Sequence, residues 1–491
     1  MVRQRLSTFA FYRFRYAFAY IGFALALATM LFVAGFYLPG GLTTSEISSA
    51  LISDALDPNK LFSLPPDQLV YLPYRLLQAA SIAVFGLSII SIKLPSIILG
   101  FISALGILYL LNLWYRRSVA IIVATIAVTM SQFLLSSQAG QAGIVYIFLT
   151  TMVLVAASMI TRRNAYAQIW LIAGFILAGI SLYMPLNLYM LIALFLTAAF
   201  HPHARHLLLR EASKYTIITG SILFLIIVSP LVIGAINDPS ILLVLLGFSE
   251  SITHFGSNAA TLAANYIGFA KPASGAIITP VYGLGMAMLI LLGLYRLISA
   301  KYTTKSYIIS IWLVLLIPLV CLNPDFVSIT FIPVMLLVAL GVDYLISSWY
   351  NLFPHNPYAR VFGLVPLGVL LIGLVVSNID RYSYGLHYDH AVYSSYNYDV
   401  SILARKLKTL DKDQTVQLIV TKKNLTLYQS FAIHQRYVKQ LNVSSDVSTL
   451  AAANTVIVER DLKPAIKKIP ANILVTRTAD DADRFYLYKN K

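Results

Sequence analysis

Long apolar segments alternate with short basic clusters over the first 379 residues of this chain of 491. About twenty consecutive apolar residues form a helix long enough to cross the hydrocarbon core of a bilayer. The pattern predicts eleven spans, at residues 16–38, 94–114, 119–136, 143–160, 167–184, 186–201, 215–236, 277–298, 307–322, 329–348 and 361–378. We therefore expect a polytopic α-helical membrane protein, in which Pro185 either separates two spans or kinks one longer helix.

The distribution of Lys and Arg predicts the orientation of these spans. If the N-terminus lies inside, the inner segments hold 15 basic residues, whereas the outer loops before residue 380 hold only Lys60, Arg75, Lys93 and Lys271. Loops rich in Lys and Arg stay on the cytoplasmic side of a membrane. We therefore expect a multi-pass protein of the cell membrane with its C-terminus outside.

Carboxylates are scarce before residue 380, where the chain has nine, and seven of them fall in the predicted outer segments. Charge is costly in hydrocarbon, so the outer face is where we expect chemistry. The net charge of +16 does not indicate a nucleic-acid partner, because the basic residues flank apolar spans in a chain of mean hydropathy +0.77. The single cysteine, Cys321, excludes a disulfide framework and a cysteine-based metal site.

The outer loop 39–93 carries predicted structure of its own. A hydroxyl at Thr43–Ser45 can cap a helix, and Glu46 suits its first turn. Residues 74–90 predict a second helix lying in the membrane interface, although a twelfth span is the alternative. The sequence KLPS, residues 93–96, is expected to open the next span.

The last segment, 380–491, differs from the rest, since it holds 11 of the 20 acidic and 17 of the 36 basic residues. It begins with a tyrosine-rich stretch, 381–399, that suits a membrane interface or, alternatively, stacking on sugars. Alternating helix and strand patterns then predict a small extracytoplasmic α/β domain after the transmembrane domain of residues 1–379.

Several short motifs in the outer loop carry a family resemblance. They are Ser45-Glu46, Pro73-Tyr74, Leu77-Gln78-Ala79, Phe85-Gly86 and Lys93-Leu94-Pro95-Ser96, in this order. Together with the predicted topology they resemble the GT-C-fold membrane glycosyltransferases, in the aminoarabinose- and protein-mannosyltransferase branch. This resemblance implies a donor sugar linked to polyprenyl phosphate, transferred at the outer leaflet to a lipid, glycan or protein acceptor.

The resemblance also implies site residues, with departures from the family pattern. The family has an Asp-Glu pair where this chain has Ser45-Glu46, which leaves Glu46 as the candidate catalytic base. Gln138 and Gln141 stand where the family often has charged residues. Glutamines can hydrogen-bond a sugar but hold a divalent metal weakly. The sequence therefore identifies no metal ligands, although a divalent metal stays open as a cofactor.

We expect Arg75 and Lys93 to bind the lipid phosphate, because charge-assisted contacts to phosphate are strong. The alternative is that both anchor headgroups at helix ends. Tyr74, Gln138 and Gln141 complete the predicted substrate-binding set. No Walker motif and no GxGxxG after a strand is present, so no nucleotide cofactor is expected.

Three functions are therefore weighed. The first is a glycosyltransferase that uses a polyprenyl-phosphate sugar. The second is a non-catalytic GT-C-like protein that binds lipid-linked sugar or supports envelope assembly, which the Ser45 departure and the uncharged Gln138 and Gln141 favour. The third is a lipid or solute transporter, which would be expected to show repeated half-structures with broken helices.

Overall fold

A computed structural model describes residues 15–37, 41–162, 166–206, 213–248, 255–268, 277–299, 303–324, 326–352, 357–447, 453, 455–475 and 484–489. The basic N-terminal segment that we expect inside, with Arg3, Arg5 and Arg13, lies outside these residues.

The helices of the described part follow the predicted apolar segments. They are α1 (Arg15–Tyr37), α2 (Thr44–Asp54), α3 (Pro66–Leu69), α4 (Leu72–Phe85), α5 (Ile89–Trp114), α6 (Arg117–Thr129), α7 (Ser131–Gln138), α8 (Gly143–Thr161), α9 (Ala167–Ser181), α10 (Leu188–Phe200), α11 (Pro202–His206), α12 (Lys214–Asn237), α13 (Ser240–Leu246), α14 (Phe255–Tyr266), α15 (Leu284–Ser299), α16 (Thr304–Leu322), α17 (Val327–Leu352), α18 (Pro357–Tyr388), α19 (His390–Tyr393), α20 (Val400–Lys408) and α21 (Leu425–His434).

Six of the described helices, α5, α8, α12, α16, α17 and α18, are long and apolar enough to cross a membrane. The pair α6 and α7 raises the number to seven if it forms one broken span, since the two helices meet at an angle of 61°. The sequence predicts a single span at 119–136, where the structure has these two helices. The break lies at Met130, whose extended backbone (φ −62°, ψ 137°) interrupts the helix without a proline or glycine. The count of eleven spans stays a prediction.

The outer loop folds partly as its sequence indicates. Helix α2 begins with a capping box, in which Thr43 and Glu46 each accept a hydrogen bond from the other's backbone N–H. Helix α4 ends earlier than predicted, at Phe85, because Gly86 has a φ of 72°. Helix α5 begins at Ile89 and not at residue 94, because Ser88 and Ser91 form a capping box of their own. Lys93 therefore lies inside the first turns of α5.

The membrane helices pack around a shared apolar core. Helix α5 packs against α1 and α8, α8 packs against α9, and α15 packs against α17. Helices α9 and α10 are separate, with a break at residues 182–187 that contains Pro185. The core side chains are mostly Leu, Ile and Val, which agrees with near-continuous apolar segments rather than amphipathic ones.

The C-terminal segment forms a five-stranded mixed sheet with two helices, which confirms the predicted elements. The strands are β1 (Thr415–Ile419), β2 (Gln440–Ser444), β3 (Thr455–Glu459), β4 (Asn472–Val475) and β5 (Arg484–Lys489). Their order is β2-β1-β3-β5-β4, with β1 parallel to β2 and β3, and β5 antiparallel to β3 and β4.

The C-terminal domain packs directly on the outer loop. One apolar cluster combines Leu42, Ile47 and Ile82 of the loop with side chains of α20, α21 and the sheet. At the end of α2, the Asp54 carboxylate accepts a hydrogen bond from Ser430 Oγ at 2.5 Å and contacts His434 Nε2 at 2.7 Å. The domain therefore supports the loop that carries the predicted site.

Candidate functional site

A cavity of about 850 Å³ opens where the outer loop meets the membrane helices. Its walls are α2, the turn between α7 and α8, the start of α17 and the segment 394–397. About half of the lining residues are Ser, Thr, Asn or Gln, and Tyr71, Tyr146 and Phe326 add aromatic faces. Among the residues that the structure describes, Glu46 and Arg75 are the two charged side chains that line it.

Glu46 joins two parts of the chain that are far apart in sequence. Its Oε2 accepts a hydrogen bond from the Thr43 N–H at 2.8 Å, which closes the capping box of α2. Its Oε1 accepts one from the Gly140 N–H at 2.7 Å. The side chain is 0% exposed. Both carboxylate oxygens therefore hold the cavity wall together.

Gly140 is needed for this close approach. A Cβ at this position would lie 2.5 Å from Ile92 Cγ2 and 3.5 Å from Glu46 Cγ. The turn between α7 and α8 can therefore reach Glu46 only without a side chain at residue 140.

Lys93 lies behind Glu46 and not on the cavity surface. Its Nζ is 3.8 Å from Glu46 Oε1, donates to the Gly41 carbonyl at 3.1 Å and sits 5.3 Å from the centre of the Tyr396 ring. The side chain is 1% exposed. A buried cation is tolerated when a counter-charge and hydrogen-bond acceptors surround it, and all of these come from the protein here.

Arg75 lines the cavity and carries a buried donor without a partner. Its Nε donates to the Val70 carbonyl at 2.7 Å, whereas its Nη1 has no hydrogen-bond partner although the side chain is only 8% exposed. Burial lowers the pKa of the guanidinium, and the nearby Asp67 carboxylate acts in the opposite direction. A buried donor without a partner is costly, so an acceptor that reaches the guanidinium gains a hydrogen bond that the protein does not supply.

Gln141 lines the cavity beside Ser45, and its Nε2 donates to Ser45 Oγ at 2.6 Å. Ser45, the residue that departs from the family pattern, is therefore on the cavity surface. Among the described residues, Gln141, Glu46 and Arg75 are the members of the predicted site that the structure brings together around this cavity.

Tyr74 and Gln138 lie outside the cavity lining. Tyr74 is buried, with its hydroxyl 2.8 Å from Ser96 Oγ. Gln138 is buried with its Oε1 accepting a hydrogen bond from the Tyr382 hydroxyl, and its Nε2 has no partner. Their side chains support the wall from behind, at the level of α5 and α18.

Sequence reasoning did not assign a role to Gln78, which connects the loop to the membrane helices. Its Oε1 accepts hydrogen bonds from Ser49 and Ser53 of α2, and its Nε2 donates to the Ile92 and Gly140 carbonyls. The family motif contained this glutamine, but only the folded chain shows its partners.

Sequence reasoning also assigned no role to Tyr71, which lines the cavity. It has a φ of 65°, a left-handed conformation that is strained for a bulky residue, and no sequence signal indicates it. Its backbone carbonyl accepts the Arg75 N–H at 3.1 Å, and its ring meets Tyr146 edge to face with centroids 6.4 Å apart. Tyr71 is therefore the N-cap of α4, and its carbonyl joins it to the first turn, which carries Arg75.

The tyrosine-rich segment contributes to the site as well as to the surface. Tyr396 is buried against Lys93 and lines the cavity, whereas Tyr384 and Tyr388 are exposed. Burial raises the pKa of Tyr396 well above its usual value, so its hydroxyl stays neutral.

The described residues of the cavity lining do not fit a divalent cation. Within the described ranges, no three His, Cys, Asp or Glu side chains come together, and Glu46 is the one carboxylate on the cavity wall. Hard cations require several oxygen ligands, usually with more than one carboxylate. We therefore assign no step to a metal.

Comparisons with known proteins agree with this architecture. Residues 73–233 match the family model described as dolichyl-phosphate-mannose-protein mannosyltransferase. A search of curated proteins found no significant match. The structure superposes on ArnT from Cupriavidus metallidurans in the apo state with a TM-score of 0.51 and 12% identity, covering 96% of this chain and 98% of that chain.

Two further solved structures superpose less closely. ArnT from Cupriavidus metallidurans bound to undecaprenyl phosphate gives a TM-score of 0.49 at 11% identity, with the same coverage. The archaeal oligosaccharyltransferase AglB from Archaeoglobus fulgidus, in complex with an inhibitory peptide and a dolichol-phosphate, gives 0.44 at 13% identity and covers 90% of this chain and 70% of that chain.

The resemblance inferred from the outer-loop motifs is confirmed. The superposition on apo ArnT shows a common fold over nearly the whole of both chains. The family match covers 161 of the 491 residues, from Pro73, close to Arg75, to Ile233, near the end of α12. The chain is therefore a multi-pass membrane protein with the GT-C-type fold.

Proposed function

We propose that this protein is a glycosyltransferase of the cell membrane. It moves a hexosyl or pentosyl group from a polyprenyl-phosphate donor to an acceptor at the extracytoplasmic face. The acceptor is a lipid, glycan or protein. The observation that carries this proposal is Arg75, which lines the cavity and whose Nη1 is a buried donor without a hydrogen-bond partner.

In this proposal Arg75 binds the phosphate of the donor. Arginine matches phosphate geometry and forms charge-assisted hydrogen bonds with it. Lys93 was expected to share this contact, but its position behind Glu46 supports an indirect role, in which it holds Glu46 in place. Gln141 and Ser45 lie on the same cavity, and in this proposal they hydrogen-bond the sugar.

Glu46 is the proposed base, since it is the one carboxylate on the described cavity wall. As the acceptor oxygen attacks the anomeric carbon, a new C–O bond forms and the bond to the phosphate oxygen breaks. The acceptor proton passes to Glu46, and polyprenyl phosphate leaves with the electron pair of the broken bond. The leaving phosphate, whose charge grows during the step, stays in contact with Arg75.

The burial and the hydrogen bonds of Glu46 favour a second function, in which the protein binds lipid-linked sugar without transferring it. Both Glu46 oxygens already accept backbone hydrogen bonds, and the side chain has no exposed surface. A base must be within reach of the proton that it removes. A protein that binds lipid-linked sugar without transferring it needs only the Arg75 contact and the amide and hydroxyl lining.

A transfer assay separates the two functions. The purified protein is placed in vesicles made from the total lipids of the producing cells, with polyprenyl-phosphate hexoses and pentoses radiolabelled in the sugar. We expect label to move to an acceptor while polyprenyl phosphate is released. Donor binding without either product would support the second function and refute the first.

The Arg75→Gln variant tests the phosphate contact, and Lys60→Gln is the matched control. Lys60 is also a cation of the outer loop, but its side chain is 72% exposed and it does not line the cavity. We expect Arg75→Gln to raise the KM for the donor and Lys60→Gln to leave it unchanged. Equal effects of the two variants would contradict the assignment of the phosphate to Arg75.

A further inference from the structure

A second cavity, of about 370 Å³, lies at the opposite end of the membrane helices. It is enclosed by the last turns of α5 and α8, by α10 and by the first turn of α16. The first cavity includes Gly143, at the beginning of α8, and the second includes Thr161, at its end. These positions are 18 residues apart on one helix, or about 27 Å at 1.5 Å per residue.

That separation is close to the thickness of a bilayer's hydrocarbon core. The two cavities therefore open toward opposite leaflets. The second one lies on the side where the excess of Lys and Arg places the inside of the cell. The sugar transfer proposed for the first cavity does not involve the second cavity.

Two cations face the second cavity, Arg162 and Lys305. The Arg162 guanidinium donates from Nη2 to the Leu113 carbonyl at 2.7 Å, which leaves its other N–H groups available. Lys305 Nζ donates to the Trp114 carbonyl and lies 4.9 Å from the centre of the Tyr115 ring. In the described part of the chain, no carboxylate comes within 4 Å of either cation, and Asp343 of α17 attracts Lys305 from beyond that distance.

The rest of the lining separates into a polar end and an apolar end. Trp114 is fixed at the polar end, where its Nε1 donates to Ser158 Oγ at 2.7 Å. Tryptophan at this position is typical of the membrane–water interface. Leu194, Ile160 and Ile308 form the apolar part. The hydroxyls of Thr161 and Thr197 already donate to backbone carbonyls, so the cations are the main free donors.

We propose that this cavity binds the headgroup of an anionic phospholipid of the inner leaflet. Two cations facing one cavity repel each other, and a phosphate between them relieves this repulsion while accepting their remaining N–H groups. The apolar side chains contact the first part of the acyl chains. Basic pockets between membrane helices on the cytoplasmic side are suited to acidic lipid headgroups.

Thermal unfolding of the delipidated full-length protein in neutral detergent tests this site. We add phosphatidylglycerol, phosphatidylcholine with the same acyl chains, or inorganic phosphate. Phosphatidylglycerol should raise the unfolding temperature well above the value with phosphatidylcholine, and inorganic phosphate should have no effect. Equal shifts with the two lipids would overturn the proposal. A shift with inorganic phosphate would assign the site to a free anion and would overturn it too.

Variants connect the effect to this cavity. Arg162→Gln, at an exposed position, should raise the phosphatidylglycerol concentration for a half-maximal shift about fivefold, and adding Lys305→Gln should raise it about fivefold again. Arg296→Gln is the matched control, because Arg296 ends α15 on the same predicted side without lining the cavity. If Arg162→Gln behaves like Arg296→Gln, the lipid binds elsewhere. Arg162→Gln alone decides whether the lipid binds in this cavity even if the double variant does not fold.

Discussion

The buried pair of Lys93 and Glu46 provides a quantitative test of the site's architecture. Lys93→Met removes the one cation within 4 Å of the Glu46 carboxylate among the described residues, although two backbone N–H groups still donate to it. Breaking a buried ion pair costs about 3–5 kcal/mol, and the remaining hydrogen bonds place Lys93→Met at the lower end. Glu46→Gln leaves Lys93 with the Gly41 carbonyl and the Tyr396 ring, so we expect a cost of similar size.

The double variant Glu46→Gln/Lys93→Met leaves no unpaired buried charge. We therefore expect it to be less destabilised than the sum of the single variants by at least about 2 kcal/mol. Denaturant titration of the full-length protein in mild detergent gives the free energy of unfolding for each member of this cycle. Asp57 and Lys60 are the matched control, because they form a 3.7 Å pair in which the side chains are 44% and 72% exposed. Lys60→Met should cost about 1 kcal/mol or less.

Two results would refute this reasoning. One is a cost for Lys93→Met as small as that for Lys60→Met, and the other is simple addition of the single-variant costs. The cycle also tests catalysis, because we expect the double variant to keep its fold without the carboxylate. If the double variant transfers sugar at the normal rate, Glu46 is a positioning residue and not the base.

Three further variants test the contacts around the cavity. Gln78→Leu leaves two hydroxyls of α2 and the carbonyls of Ile92 and Gly140 without their hydrogen-bond partner. The free energy of unfolding in denaturant titrations should therefore fall by about 2–4 kcal/mol. Gly140→Ala places a Cβ 2.5 Å from Ile92 Cγ2 and should cost about 1–3 kcal/mol in the same titrations; an unchanged stability would mean that this turn does not pack closely on α5. Asp54→Ala removes the carboxylate that holds the end of α21, so hydrogen–deuterium exchange of α21 should become faster, and unchanged exchange would contradict this contact.

Local signals in the sequence predicted the elements well. The capping box of α2 follows from Thr43 and Glu46, three residues apart, and the strands of the C-terminal domain follow from short runs of alternating or apolar residues. Both signals depend on neighbouring residues, so they can be read without the fold. The gathering of Glu46, Arg75 and Gln141 around one cavity was also within reach, because the predicted topology placed all three at the outer face.

Contacts across the chain were not predictable in the same way. The Gly140 N–H that binds Glu46 is 94 residues away, and nothing local indicates that Lys93 faces a carboxylate instead of solvent. The bend at Met130 has no proline or glycine to indicate it, and the left-handed Tyr71 is held by packing and by its N–H bond to the Tyr183 carbonyl. These features depend on tertiary packing that overrides local preference.

The most direct test of the central claim is native mass spectrometry of the protein with polyprenyl phosphate, comparing the unaltered chain with Arg75→Gln. We expect the unaltered protein to bind polyprenyl phosphate and not the uncharged polyprenol. Loss of one partner of a buried charge contact costs about 2 kcal/mol or more, so Arg75→Gln should weaken binding about thirtyfold. Equal binding by Arg75→Gln, or equal binding of the polyprenol, would contradict the account.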